Sequence, residues 1–160
     1  MIYKEVTMEV RTATLDDIES LKVFEQGVIK AERPFDETLQ VDPIHYYDLE
    51  YLITAEDIQL VVVEFEQAII ACGYARIKPA KKYANYSFYS YLGFMFVKEE
   101  HRGKGINQLV IGELTQWSLE QGVTMLHLDV FKDNEAAVSA YKKVGFKEYL
   151  VEMRMDISQK

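Results

Sequence analysis

The 160-residue sequence contains one cysteine, three histidines and no apolar run near the roughly 18 residues that a membrane-spanning helix needs. A lone cysteine cannot close an intrachain disulfide. Cys72 lies inside the apolar run AIIACGYARI and reads as a small core residue rather than a nucleophile, which suits a reducing compartment. Scattered histidines and one thiol form no ligand pattern, so no metal site is expected. No charged leader, apolar stretch and cleavage site open the chain, and a cytoplasmic protein is expected. Basic residues are also in deficit. Eighteen Lys and Arg stand against 26 Asp and Glu, a formal charge of −8. That balance argues against nucleic-acid binding and for a cationic partner.

What is present is enough apolar residue for one core. At 49% hydrophobic content, residues 1–160 are expected to form a single domain without disulfide or metal support. MEVRTA, residues 8–13, alternates as a strand. TLDD, from Thr14, resembles a capping box opening a helix with Ile18, Leu21, Phe24 and Val28 on one face. Residues 32–50 carry Pro34, Pro43 and six carboxylates and read as loop with short helices. IQLVVVEF and AIIACGYARIKP flank Glu66 and Gln67 and predict a hairpin whose turn lacks glycine or asparagine. The aromatic run 86–97 predicts a third strand, and its internal Gly93 marks a bulge or a close backbone approach. A helix is expected from Ile106 to Gly122, with Ile106, Leu109, Val110, Leu114 and Trp117 at helical spacing. TMLHLDVF then predicts a strand, NEAAVSAYKKV a helix and KEYLVEMRMDI a closing strand. This order predicts an α/β (α+β) fold with a mixed sheet and helices on both faces.

The stretch FMFVKEEHRGKGINQLV, residues 94–110, places basic residues and two glycines where a strand hands over to a helix. Unpaired amides at a helix N-terminus, approached closely over glycines, suit a phosphate. GxxxxGK[ST] and GxGxxG are both absent, which sets aside the two commonest nucleotide loops. Arg102, Gly103, Lys104, Gly105, Ile106 and Asn107 resemble instead the acyl-CoA pyrophosphate loop of the GNAT N-acetyltransferase superfamily. Asn107 departs from the small residue usual at that position. A second segment, Asn134 to Phe146, resembles the family's Asn-x-x-Ala-x-x-x-Tyr followed by Gly-Phe.

The resemblance spans Met8 to Ile157, in outline only before Gln59. It implies a mostly antiparallel sheet splaying between the strands that end near Val97 and Phe131. Acetyl-CoA is implied as co-substrate, its pantetheine pairing with the backbone of Met95, Phe96 and Val97 and touching Asn134. Tyr141 resembles the family's general acid. Asp129, twelve residues earlier, stands where some members carry a catalytic glutamate, and as base it would act through a water; holding a nearby loop is an equal reading. His127, on the same strand face, is the other candidate base, although one strand histidine is more often structural. The oxyanion would meet backbone amides near Phe96 and Val97.

Arg76, Lys78, Lys81 and Lys82 read first as a solvated strand edge and second as a phosphate seat. Acceptor specificity is expected in residues 31–52 and 83–91, where carboxylates and tyrosines favour a cationic amine; the tyrosines serve equally as a homodimer interface. The resemblance implies an N-acetyltransferase acting on a primary amine by direct transfer. The competing reading is a non-catalytic acyl-CoA sensor, and an acylating toxin directed at tRNA is disfavoured by the acidic balance.

Overall fold

The computed structural model describes residues 7–158. The chain divides into two compact units, one ending at Asp129 and one beginning at Val130. The first holds a five-stranded sheet in the order β1-β2-β3-β4-β5, formed by Glu9–Thr12, Ile58–Phe65, Ala68–Pro79, Phe88–Val97 and Leu126–His127. The first three pairings are antiparallel and the last is parallel. Helices α1 (Ile18–Glu32), α2 (Leu49–Thr54) and α3 (Ile106–Glu120) belong to the same unit.

Period-2 alternation on the buried strands decides which helix covers which face. Leu60, Val62, Cys72, Tyr74 and Phe94 pack with Leu21, Phe24 and Val28 of α1 and with Leu49 and Leu52 of α2. On the other face, Gly73 lies against Val110 of α3, whose buried stripe is Ile106, Val110, Ile111, Leu114 and Ser118. Leu109, expected on that stripe, is exposed, and Ile111 takes its place. Helices therefore cover both faces of a mixed, mostly antiparallel sheet, as expected.

The β2–β3 hairpin turns at Glu66 and Gln67, with φ of 51° and 66°. Two successive left-handed residues match the twist of a tight hairpin, here without the usual glycine or asparagine. At Gly93 both sequence-level alternatives hold. The β3–β4 register shifts between Cys72 and Tyr74, and Phe94 takes φ of 53°. A Cβ on Gly93 would also lie 2.5 Å from the Tyr74 ring and hydroxyl.

Two expected strands differ from the structure. TMLHLDVF forms ladder pairs only at Leu126 and His127, opposite Ser90 and Tyr91. KEYLVEMRMDI forms no strand. Alternation sets which face is apolar and not whether a ladder forms, and among the described residues 128–131 and 147–157 join none. The second unit holds α4 (Glu135–Val144), which opens at Asn134, whose side chain accepts from the Ala137 amide at 3.2 Å. Gly145 stops it, with φ of 123°.

Candidate active site

β4 delivers the chain to the glycine turn. On one side its end is tied to β3, through Cys72 with Phe96 and Ala71 with Val97. On its other side, β5 pairs with Ser90 and Tyr91, so among the described residues the backbone from Leu92 to Val97 has no strand beside it there. Met95, Phe96 and Val97 thus present strand backbone with one side unladdered, the condition for an extended ligand to lie alongside. Lys98 then enters a short 3-10 turn, Glu99–His101.

Gly103 and Gly105 have φ of 75° and 76°, the left-handed region that glycine enters without penalty. A Cβ would meet nothing within 4 Å at Gly103 and only the Gln108 side chain, at 3.9 Å, at Gly105. Backbone conformation, rather than crowding by the protein, therefore calls for glycine. Ile106 begins α3 directly after Gly105, and no side chain caps that N-terminus. Its first-turn amides have no intrahelical acceptor. Arg102 Nε donates to the Val97 carbonyl at 2.9 Å and its guanidinium lies 5.8 Å from the Phe96 ring centre, so Arg102 ties the turn to β4. Lys104 is exposed, Ile106 is buried in the core and Asn107 is half-buried in the first turn.

Asp129 is exposed and accepts a hydrogen bond from the Tyr91 hydroxyl at 3.0 Å. Tyr91 is the partner that the sequence did not reveal. Burial first, then the Asp129 charge and their hydrogen bond, raise the Tyr91 pKa well above that of a free phenol, so the hydroxyl remains a donor. Asp129 is thus held by a tyrosine of the neighbouring strand. His127 is otherwise engaged, with Nε2 3.1 Å from the Tyr86 hydroxyl and its ring stacked on Tyr89 at 3.9 Å. Burial lowers its pKa while Asp129 opposes that shift, so the imidazole is neutral at pH 7.

The residues expected on the acceptor side gather around tyrosines. Tyr47 packs edge-on to Tyr74 at 6.1 Å, and Tyr74 lies 6.5 Å from Tyr91. Glu32, hydrogen-bonded with Tyr46, has its pKa raised by burial. The loop carrying Tyr46 and Tyr47 is fastened by Glu25, a buried carboxylate on α1. One Glu25 oxygen accepts both tyrosine amides, at 3.0 and 2.8 Å, and the other lies 3.0 Å from His45 Nδ1. Spacing alone could have singled out Glu25, because it sits one turn from Leu21 and from Ile29 on the buried stripe.

Arg76 and Lys78 are not on a strand edge, because β3 runs between β2 and β4, whereas Lys81 and Lys82 follow the end of β3 and are exposed. Three of the four cations lie over aromatic rings: Arg76 over Tyr51 at 5.8 Å, Lys78 over Tyr91 at 4.5 Å and Lys81 over Tyr83 at 5.7 Å. Cys72 is fully buried, and burial raises its thiol pKa well above the ordinary value, consistent with a core residue. In the second unit Tyr141 is half-buried and meets Phe146 edge-on at 5.8 Å.

A family model described as the acetyltransferase (GNAT) family matches residues 25–146. An uncharacterized N-acetyltransferase of Bacillus subtilis, YobR, is 48% identical over 58 residues, covering 36% of this chain and 24% of that protein. A thialysine N-epsilon-acetyltransferase of Bos taurus is 34% identical over 58 residues, 36% of this chain and 34% of its own length. The matched stretches thus span well under half of these relatives. In fold, the chain resembles the crystal structure of a predicted acetyltransferase with acetyl-CoA from Clostridium acetobutylicum. The TM-score is 0.73 at 18% identity, over 96% of this chain and 99% of that one.

Proposed function

The chain belongs to the GNAT family of acetyltransferases, and from that premise we propose that it transfers an acetyl group from acetyl-CoA directly to a primary amine of a small molecule or peptide. The observation that carries this reading is the pair of left-handed glycines opening α3 beside the unladdered backbone of β4. The pyrophosphate is assigned to the turn from Arg102 through Gly103, Lys104, Gly105 and Ile106 to Asn107, where backbone amides and basic side chains are available. The pantetheine is assigned to Met95, Phe96 and Val97, with a further contact from Asn134.

The chemistry needs a neutral amine, a stabilised oxyanion and a proton for the departing thiolate. Asp129, held by Tyr91, is assigned to accept the amine proton through a bridging water. Backbone amides near Phe96 and Val97 are assigned to the oxyanion. Tyr141 is assigned as the acid that protonates the CoA sulfur, so that the amine nitrogen gains the acetyl group and the thiol leaves neutral.

For the acceptor, the aromatic series Tyr47, Tyr74 and Tyr91, with carboxylates at Glu32 and Asp129, favours a cationic amine. Lys78 supports this, because its ammonium already rests on the Tyr91 face. The thialysine relative bears a name that specifies an amine acceptor. A cytoplasmic location and a homodimeric form complete the reading.

Thiol release from acetyl-CoA over a panel of lysine, polyamine, aminoglycoside and peptide amines tests it. Amine-dependent turnover is expected, reduced about 100-fold or more by Tyr141→Phe and by Asp129→Asn. Tyr91→Phe, which leaves the carboxylate in place, should cost only about tenfold. Binding of acetyl-CoA without turnover on any amine would instead mark a sensor.

A further inference from the structure

Gly27 has no Cβ, and the Phe96 ring of β4 occupies the space that one would need. A Cβ there would lie 2.6 Å from Phe96 Cε2 and 2.9 Å from Cζ, well inside van der Waals contact. Gly27 sits within α1, where alanine is ordinarily favoured over glycine. Helix geometry gives no reason for glycine at this position, and the ring gives one. Phe24, three residues earlier on the same face, completes the seat, its ring centre 4.8 Å from that of Phe96.

The preceding side chain of β4 also meets a glycine. A Cβ on Gly73 of β3 would lie 2.6 Å from Met95 Sδ and 2.7 Å from Val110 Cγ1 of α3. Met95 and Phe96 thus face opposite sides of the sheet, and each comes close to a backbone that lacks a Cβ. A thioether can swing aside, whereas a phenyl ring held against Phe24 shifts only as a body. Gly27 is the stricter position.

The stretch of β4 that carries Phe96 has few other restraints. Among the described residues, Leu92 to Val97 are laddered to β3 alone, the register shifts between Cys72 and Tyr74, and Phe94 takes φ of 53°. Arg102 is tied to the same place twice, through the Val97 carbonyl at 2.9 Å and beside the Phe96 ring at 5.8 Å. Displacing the ring would therefore move the end of β4 together with the residue that opens the glycine turn.

We propose that Gly27 is a positioning residue for the acyl-CoA seat: by admitting the Phe96 ring to the surface of α1, it sets the backbone of Met95 to Val97 and, through Arg102, the turn that follows. The inference rests on the seat proposed above and adds the residue of α1 that shapes it.

Calorimetric titration with acetyl-CoA tests it on the full chain. Gly27→Ala should keep the helical circular dichroism of wild type and bind at least about tenfold more weakly. Gly112→Ala, a helix position where a Cβ meets nothing within 4 Å, should bind as wild type does. Phe96→Leu removes the ring atoms that the new Cβ would strike, and it should also weaken binding because Phe24 and Arg102 lose their contact. The double variant G27A/F96L should then bind no more weakly than Phe96→Leu alone. A wild type that binds no acetyl-CoA would remove the seat itself and this inference with it. A wild type that binds, with a folded Gly27→Ala that binds equally well, would overturn the role of Gly27 alone. So would equal weakening in Gly112→Ala, or losses at 27 and 96 that multiply in the double variant. Phe96→Leu carries the test by itself if Gly27→Ala does not fold, and its binding acetyl-CoA as tightly as wild type would overturn the proposal.

Discussion

Residues 7–129 and residues 130–158 use similar sequence patterns to different effect. In the first unit, Leu60, Val61, Val62 and Val63 are each at most 2% exposed, and the sheet is covered on both faces. Buried charge there is answered locally: Asp17 by both terminal nitrogens of Arg11, Glu25 by two amides and a histidine. In the second unit, apolar residues recur just as regularly and none is buried. A periodic pattern thus states which face of a segment is apolar, and the first unit adds the ladder and the core that bury it.

The largest test of this contrast lies in the first core. Phe24 is 1% exposed and packs on Phe96 with ring centres 4.8 Å apart, so Phe24→Ala should cost about 3 to 5 kcal/mol in denaturant unfolding. A loss under 1 kcal/mol would mean that this core is no tighter than the second unit.

Next comes Glu25→Ala, which strips the acceptor from the Tyr46 and Tyr47 amides. A loss of about 2 to 4 kcal/mol is expected, with Glu25→Gln recovering part of it through the retained carbonyl oxygen. Because that loop carries tyrosines of the proposed acceptor side, KM for the amine should rise with little change in KM for acetyl-CoA.

A smaller effect should appear on acidification. Arg11, by hydrogen bonds foremost, holds the Asp17 carboxyl below its usual range. The stability this contributes is fully present above the unfolded carboxylate pKa of about 3.9 and is lost as pH falls through the lower folded value. Asp17→Asn should remove about 1 to 2 kcal/mol at pH 7 and flatten that part of the acid limb, as read from thermal unfolding against pH. The smallest effect belongs to the second unit. Leu150→Ala, at a position 88% exposed, should change stability by less than about 0.5 kcal/mol.

The same contrast explains what the sequence made legible. The β2–β3 hairpin, α1, α3 and α4 could be read because their periodicity and their termini are local properties, down to Asn134 capping α4. Residues 124–131 and 147–157 carry strand patterning equally well, but a ladder is a property of two segments, and the pattern of one does not state which of its residues will join a ladder. At the candidate site, the glycine turn was visible because left-handed φ and helix initiation both leave marks in a few consecutive residues. Tyr91 was not visible, since it meets Asp129 across 38 positions through the β4–β5 register. The basic residues of β3 were misread as an edge for the same reason: strand order is not written within the strand.

The central claim, that the turn before α3 is an acyl-CoA seat, is tested most directly by calorimetric titration of the full chain with acetyl-CoA. Wild type should bind in the micromolar range. Gly105→Val, forced into φ near 76° at a cost of about 1 to 2 kcal/mol and placing a side chain where the pyrophosphate would lie, should bind at least about tenfold more weakly. No binding to the wild type, or equal binding to the variant, would contradict the account.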